Sequence, residues 1–214
     1  MQLIGLFPQQ VITVSATPEM WTSPVLPEEE ALICRAADKR QREFRAGRHC
    51  ARAALAKLGQ PGQAILRDQR RAPVWPQGYL GSISHCRDYC LAACCAAESI
   101  QGLGVDVEPL APLKPELAGY IQSEAESRFM QEHPELPDRL IFSAKESLYK
   151  CFYPLVKQYF GFHAVEIELA TDNRQFNFTP TDEAPSELVQ AFSFHGGYVT
   201  TDNHLITGCY LLRK

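Results

Sequence analysis

Three strand-like runs, residues 81–85, 89–97 and 102–108, follow one another with no helical stretch between them, and this order constrains the fold more than any other feature. One longer helix precedes them, residues 39–58, with Phe44, Ala51, Leu55 and Leu58 recurring at helical spacing. Gly59 closes that helix and Pro61 lies just beyond it. Earlier still, residues 3–7 and 11–14 read as short strands, and residues 28–37 as the start of a helix. After the three strands, the proline-rich segment 109–115 can link two halves. Ser123 with Glu126 fits a capping box that opens a short helix. Asp138 can cap another helix, running to Phe152 and stopped by Pro154. Strand-like stretches at 164–169, 175–178, 190–194 and 204–212 complete the chain. Strands and helices do not alternate strictly, which favours an α+β fold over a doubly wound sheet. Whether the halves make one domain or two is not fixed by the pattern.

A chain of 214 residues with 45% hydrophobic and 21% charged residues can bury a real core. Its formal charge of −4 provides no general basic field for nucleic acid, so any anion site must be local. No apolar run reaches the roughly 18–20 residues needed to cross a bilayer. Residues 1–10 lack a basic segment followed by an apolar one, so neither a signal peptide nor membrane attachment is expected. Four of the eight cysteines, Cys86, Cys90, Cys94 and Cys95, fall close together but without the paired spacing of a zinc site. They read as buried thiols in a reducing cytoplasm.

Four short segments can carry chemistry. In Gly104-Val105-Asp106-Val107-Glu108, strand alternation turns both valines to a core and both acids to the other face. Paired carboxylates repel, and a hard cation such as Mg²⁺ or Mn²⁺ between them relieves that repulsion. An exposed edge with solvated acids fits the same pattern. In Phe142-Ser143-Ala144-Lys145-Glu146-Ser147-Leu148-Tyr149-Lys150, Glu146 and Lys150 share a helical face. Glu146 could supply a third metal oxygen and Lys150 could meet a phosphate; a surface ion pair is the plain alternative. In Gly81-Ser82-Ile83-Ser84-His85, Ser84 and His85 could donate to phosphate oxygens. Arg40, Arg48 and Arg52, spaced 8 and 4 apart, share one stripe of the first long helix, with Arg67, Arg70 and Arg71 shortly after. Asp38 and Glu43 interleave with them, as on a solvated face.

Taken in this order and at these separations, the segments resemble the Sfp-type 4′-phosphopantetheinyl transferases. Lys39-Arg40-Gln41 with Glu43-Phe44, Arg48 to Arg52, Ala72 to Pro76, and Tyr153-Pro154-Leu155 through Gly161-Phe162 are similar to the subgroup that serves siderophore, polyketide and peptide synthetases. The resemblance implies two similar α+β halves related by a pseudo-twofold, 1–108 and 109–214, with coenzyme A in the cleft between them. It implies that Asp106, Glu108 and Glu146 hold Mg²⁺, or Mn²⁺, against the pyrophosphate. Lys150 would contact the same phosphates, and Arg40, Arg48, His85 and Arg67 the phosphates of coenzyme A, with Arg70 and Arg71 as rivals to Arg67. Tyr159 would line the pantetheine channel.

The implied reaction passes phosphopantetheine to a serine of an acyl or peptidyl carrier protein and releases 3′,5′-ADP. Positioning and charge neutralisation suit such phosphoryl transfer. The base is Glu146 or a water on the metal, with Glu146 preferred. Phe129 and Met130 are candidates for a patch that meets the carrier, or for core. Arg45 stands where relatives often carry an apolar or small residue; it adds to the basic patch or points into water. A cytoplasmic monomer is expected. A metal-dependent nuclease or phosphodiesterase, and a relative that binds coenzyme A or a carrier without catalysis, remain as alternatives. The small trimeric carrier-protein synthases, with chains roughly half this length, are disfavoured.

Overall fold

The computed structural model describes residues 5–60, 62–189 and 192–213. In chain order the elements are β1 (Ile12–Ser15), α1 (Pro27–Glu30), α2 (Asp38–Lys57), β2 (Tyr79–His85), β3 (Cys90–Ala96) and β4 (Ile100–Pro109). Then come α3 (Pro115–Ile121), α4 (Glu124–Glu132), α5 (Leu140–Val156), β5 (Val165–Ala170), β6 (Gln175–Pro180), β7 (Phe192–Thr200) and β8 (His204–Arg213). Two antiparallel sheets result, one ordered β1-β3-β2 and the other β4-β8-β7-β6-β5. One long helix lies over each, α2 on the first and α5 on the second. The class is α+β, as the element order suggested, with two similar halves, as the resemblance implied. Among the described residues no helix is long and apolar enough to cross a membrane.

The middle strand β3 has apolar or small residues throughout because both its faces are covered. Cys90, Ala92 and Cys94 pack under α2 with Cys50, Ala51, Ala54 and Leu55. Leu91, Ala93 and Cys95 point the other way, into a core shared with Leu103, Val105, Val107 and Ile206. Cysteine serves here as a small apolar residue. All eight cysteines are free thiols; Cys34 is exposed, Cys86 half-buried, and the other six buried.

The second core forms where α5 crosses β4 and β8, around Ala144, Leu148, Cys151, Phe152, Cys209 and Leu211. This packing is unusually close. A Cβ on Gly104 would run into the Ser147 carbonyl, and one on Gly102 would lie 2.8 Å from the Cys151 carbonyl. Only glycine lets the helix backbone sit directly on the strand.

The expected capping box is present. Ser123 Oγ accepts from the Glu126 amide at 3.2 Å, and Glu126 Oε2 accepts from the Ser123 amide at 2.8 Å. Glu126 also anchors a buried ion pair. Lys145 Nζ donates to Glu126 Oε2 at 2.7 Å and to the carbonyls of Ile121 and Phe162 at 2.9 Å each. Glu126 Oε1 accepts from the Ile167 amide at 2.7 Å. All three ammonium hydrogens are satisfied, so one pair ties α3, α4, α5 and β5 together. Burial pulls the Lys145 ammonium below its ordinary pKa.

Several expected boundaries differ. Of the strand expected at 3–7, residues 3 and 4 lie outside the described residues, and residues 5–7 form a turn. The helix expected from residue 28 is the single turn α1, followed by further turns. Asp138 does not cap α5; Arg139 holds that position without a side-chain cap. Pro154 does not stop α5 either. Burial of Phe152, Tyr153 and Val156 holds the last turn, and Lys157, at φ 54°, closes it through a bond to the Tyr153 carbonyl. The segment 109–115 ends one strand and starts α3, a helix the proline pattern concealed. The strand expected at 190–194 is the first part of β7, with residues 190 and 191 outside the described residues. β4, counted in the sequence with the first half, pairs along its length with β8 of the second.

Three stability predictions follow from this packing. Gly104→Ala is expected to cost at least about 3 kcal/mol in urea unfolding, the upper end of overpacking penalties. Gly119→Ala, in α3 with nothing within 4 Å of the new Cβ, should be neutral or slightly stabilising. Lys145→Ala leaves Glu126 buried without its cation and should cost about 3–5 kcal/mol in the same measurement.

Candidate functional site

The alternation read from β4 holds. Val105 and Val107 are fully buried in the core, while Asp106 and Glu108 face the seam where β2, β4 and α5 meet. Side chains of β2 complete the free edge of β4: Ser82 Oγ accepts from the Val105 amide at 3.0 Å, and Ser84 Oγ from the Val107 amide at 3.3 Å.

Asp106 is buried and densely bonded. Its Oδ1 accepts from Lys150 Nζ at 2.6 Å and from Ser84 Oγ at 2.8 Å. Its Oδ2 accepts from Ser143 Oγ at 2.8 Å. Lys150 Nζ also donates to Ser84 Oγ at 3.0 Å, and Thr207 Oγ1 to the Ser143 carbonyl at 2.8 Å. Glu108 Oε2 accepts from Arg139 Nη1 at 2.6 Å. Burial and the Asp106 charge push the Glu108 carboxyl above its ordinary pKa, although Arg139 opposes them. Glu146 is half-buried and, unlike those of the other two acids, its carboxylate makes no hydrogen bond among the described residues. Burial pushes its pKa up, with Lys150 opposing and Asp106 and Glu108 adding to the rise.

Three carboxylates thus face one seam, with Lys150 and Arg139 as their nearest cations. Hard oxygen donors in mutual repulsion suit Mg²⁺ or Mn²⁺. With Asp106 engaged by Lys150 and Glu108 by Arg139, their oxygens do not gather with those of Glu146 within 4.8 Å. The fit to a cation therefore lies in the donor chemistry and in the unpartnered Glu146.

Beside the seam is a cavity of about 670 Å³ lined by Arg40, Arg48, Arg67, Arg71 and His85. Arg40 Nη1 lies 3.1 Å from His85 Nε2. Burial pulls the His85 imidazole below its ordinary pKa. Arg48 lies over the Phe44 ring at 4.3 Å and donates from Nη2 to the Leu66 carbonyl at 3.4 Å. It is 5% exposed, yet its Nε has no partner among the described residues. Burial lowers its guanidinium to about 10. A buried donor without an acceptor, beside further cations, is suited to an anion.

A second cavity of about 480 Å³ is lined by Val74, Trp75, Leu80, Tyr149, Tyr153 and Lys150, and shares Arg71, Pro73 and Ile83 with the first. Asp68 shapes the turn between them: its Oδ1 accepts from the Arg70 and Ala72 amides at 2.9 Å each, and its Oδ2 from Tyr153 OH at 2.9 Å.

The structure sorts the sequence candidates. It brings Ser84, His85, Asp106, Glu108, Glu146 and Lys150 to one seam, with Arg40, Arg48 and Arg67 in the adjoining basic cavity. Arg71 joins that cavity, while Arg70 and Arg71 line the aromatic one. Arg52 leaves the expected stripe to bond the buried Glu29. Arg45 neither joins the patch nor points into water. It forks onto Glu30 at 2.8 and 2.9 Å and holds that carboxyl down at about 2. Tyr159 is 65% exposed and reaches the aromatic cavity only by contact with Tyr149. Phe129 packs on His133 and Met130 against the core, and both side chains are only half-buried. The sequence pattern assigns no role to Arg139, Trp75, Tyr149, Tyr153 or Ser143. The apolar–polar mixture around Trp75 and Tyr149 was the available signal for the groove; nothing in the sequence marked Arg139.

Comparison with known proteins places these features in a family. Residues 28–109 match the family model described as the 4′-phosphopantetheinyl transferase N-terminal domain. Residues 102–206 match that of the 4′-phosphopantetheinyl transferase superfamily. The chain is 33% identical to the 4′-phosphopantetheinyl transferase Npt of Nocardia iowensis, over 85% of this chain and 86% of that one. It is 35% identical to Svp of Streptomyces mobaraensis, over 96% and 87%. It is 36% identical to PptT of Mycobacterium tuberculosis, over 79% and 78%. With two family models overlapping at residues 102–109 and relatives of this similarity along most of their length, the chain belongs to the 4′-phosphopantetheinyl transferase superfamily.

Proposed function

We propose that this protein transfers the 4′-phosphopantetheine arm of coenzyme A to a serine of an acyl or peptidyl carrier protein, releasing 3′,5′-ADP. The observation that carries the reading is Glu146. It is an unbonded, half-buried carboxylate beside Asp106, Glu108 and Lys150, at a seam flanked by an arginine-lined cavity and an aromatic one. The charged end of coenzyme A suits the first cavity and the pantetheine arm the second. Arg40, Arg48, Arg67 and His85 would bind the phosphates of the adenosine end, with Arg71 at the junction. Lys150 and Ser84 would contact the pyrophosphate, and Trp75, Tyr149 and Tyr153 would line the arm's path, with Tyr159 at its rim. The site would then lie between the halves 1–108 and 109–214.

In the reaction the serine Oγ attacks the β-phosphorus. The bond from that phosphorus to the bridging oxygen breaks, and the electron pair leaves with the 5′-phosphate of 3′,5′-ADP. Glu146 would take the serine proton as general base. Lys150 sits where charge grows on the phosphoryl oxygens, held there by Asp106 and Ser84. Asp106, Glu108 and Glu146 would hold Mg²⁺, which when bound neutralises charge on the pyrophosphate. With coenzyme A and apo carrier proteins as its substrates, the enzyme would act in the cytoplasm, as a monomer.

Incubating apo carrier domains with the protein, coenzyme A and Mg²⁺ should add about 340 Da to the carrier, the mass of one phosphopantetheine. EDTA should suppress the gain; an unchanged carrier mass on every carrier offered would overturn the reading. Glu146→Gln and Asp106→Asn should each lower the rate by on the order of 10²–10³, as losses of charge-stabilising groups do, with thermal unfolding close to wild type for Glu146→Gln. Arg48→Ala should weaken coenzyme A binding by about tenfold or more in calorimetry, while Arg45→Ala, bonded to Glu30 outside the cavity, should not.

A further inference from the structure

Outside the seam, the turn between β2 and β3 brings Cys86 and Asp88 close to His204, the first residue of β8. The Cys86 thiol approaches Asp88 Oδ1 at 3.8 Å, and His204 Nε2 lies 3.1 Å from the same oxygen. All three donor atoms lie within 4.8 Å of one another, and among the described residues no other group of three cysteine, histidine or acidic donors is so compact. We infer that Cys86, Asp88 and His204 form a binding site for a divalent metal of the zinc class, separate from the carboxylates of Asp106, Glu108 and Glu146.

Geometry, donor type and rigidity support this assignment independently. Tetrahedral zinc bonds of about 2.0–2.3 Å put neighbouring ligand atoms about 3.3–3.6 Å apart. The two measured edges, 3.1 and 3.8 Å, straddle that range. One thiolate, one imidazole and one carboxylate select zinc or cobalt over magnesium, which prefers oxygen alone. The donors are also held in place before any ion binds. The Cys86 amide donates to the Tyr89 carbonyl at 2.9 Å and closes the turn. Tyr89 packs its ring on His204 at 4.8 Å, and its hydroxyl bonds Ser15 Oγ at 2.8 Å. The His204 amide donates to Thr201 Oγ1 at 3.0 Å.

Taken only as an ion pair, His204 with Asp88 would do little, since the Asp88 side chain is 71% exposed. A half-buried thiol in contact with the same carboxylate has no part in such a pair. Cysteine spacing alone gave no sign of this site, because its other two ligands are an aspartate and a histidine that lies 116 residues away from Asp88. Three protein ligands leave a fourth position for water or an exogenous ligand, reached from the Asp88 side. His204 faces Pro109 in the β4–β8 register, next to Glu108, so the ion would tie the β2–β3 turn of one sheet to the strand pair that opens the other.

The test is titration of the full chain with Co²⁺, read by the thiolate-to-cobalt charge-transfer band and the visible bands of tetrahedral cobalt. The expected result is saturation at one ion per chain, displacement by Zn²⁺ and indifference to a large excess of Mg²⁺. Cys86→Ser should abolish the thiolate band. His204→Ala and Asp88→Asn should each weaken apparent affinity by about tenfold or more. Cys34→Ser, which removes the exposed thiol, should leave the titration unchanged. Absence of the band in the wild-type chain, its survival in Cys86→Ser, or wild-type affinity in both ligand variants would overturn the assignment. Should His204→Ala fail to fold, Asp88→Asn on the exposed turn decides alone. The outcome is independent of carrier modification, so it stands or falls separately from the proposed transferase reaction.

Discussion

The close seating of α5 on β4 organises the rest of the molecule. Even-numbered positions of β4 face the helix: Gly102, Gly104, Asp106 and Glu108. Against them the helix sets, in reverse order, Cys151, Ser147, Ser143 and, at its N-cap, Arg139. Two strand residues advance about 6.6 Å and four helix residues about 6.0 Å, so the two rows stay in step over this length. The first two pairs bring backbone against backbone, which only glycine allows. The last two pairs are polar, Ser143 with Asp106 and Arg139 with Glu108. The same register that packs the core therefore delivers hydrogen-bond partners to the two acids.

The neighbouring row of α5 carries Glu146 and Lys150, one helical turn apart. Lys150 leans onto Asp106 and leaves Glu146 without a bond. Asp106 could not lose its donors easily: a buried carboxylate needs them, and it has three side-chain donors. Glu146 is different because the seam provides no donor for it, and burial, with two like charges nearby, raises its pKa. A fold selected for stability alone would fill that position with an apolar or paired residue. Its presence here concentrates unbalanced negative charge beside an excess of positive charge in the arginine cavity, an arrangement that lacks a structural purpose but suits a polyanion carried with a cation.

Much of this was legible in the sequence because it depends on short-range pattern. Alternation in β4 placed Asp106 and Glu108 on one face, helical spacing paired Glu146 with Lys150, and Ser123 with Glu126 announced a helix start. What failed to show depends on long-range contact. Arg45 and Arg52 share the helix of Arg40 and Arg48 and look equivalent in sequence, yet Glu30 and Glu29 claim them. Pro154 reads locally as a stop, but the core beneath Phe152 and Val156 outweighs the lost hydrogen bond. The proline-rich stretch after β4 hides α3 because Pro115 serves as a first-turn residue and not as a breaker. Arg139 has no local signal, since its role is set by a strand 31 residues earlier in the chain.

The joint between the two sheets explains why the polar residues of β2 matter twice. β4 pairs with β8 on one edge; on the other, no strand supplies carbonyls to the Val105 and Val107 amides, and the hydroxyls of Ser82 and Ser84 do so instead. Ser84 is then fully committed, accepting from Val107 and Lys150 and donating its one hydrogen to Asp106. A side chain that holds two sheets together also fixes the orientation of the seam's aspartate and lysine. The arginines and His85 belong to one side of this joint, and Lys150, Tyr149 and Tyr153 to the other. A ligand long enough to run from the basic cavity to the aromatic one would bridge the joint, and its binding would reinforce the alignment that Ser84 sets. Site geometry and the docking of the two halves are thus one constraint, not two, which is why the serines stand where a continuous sheet would have used backbone.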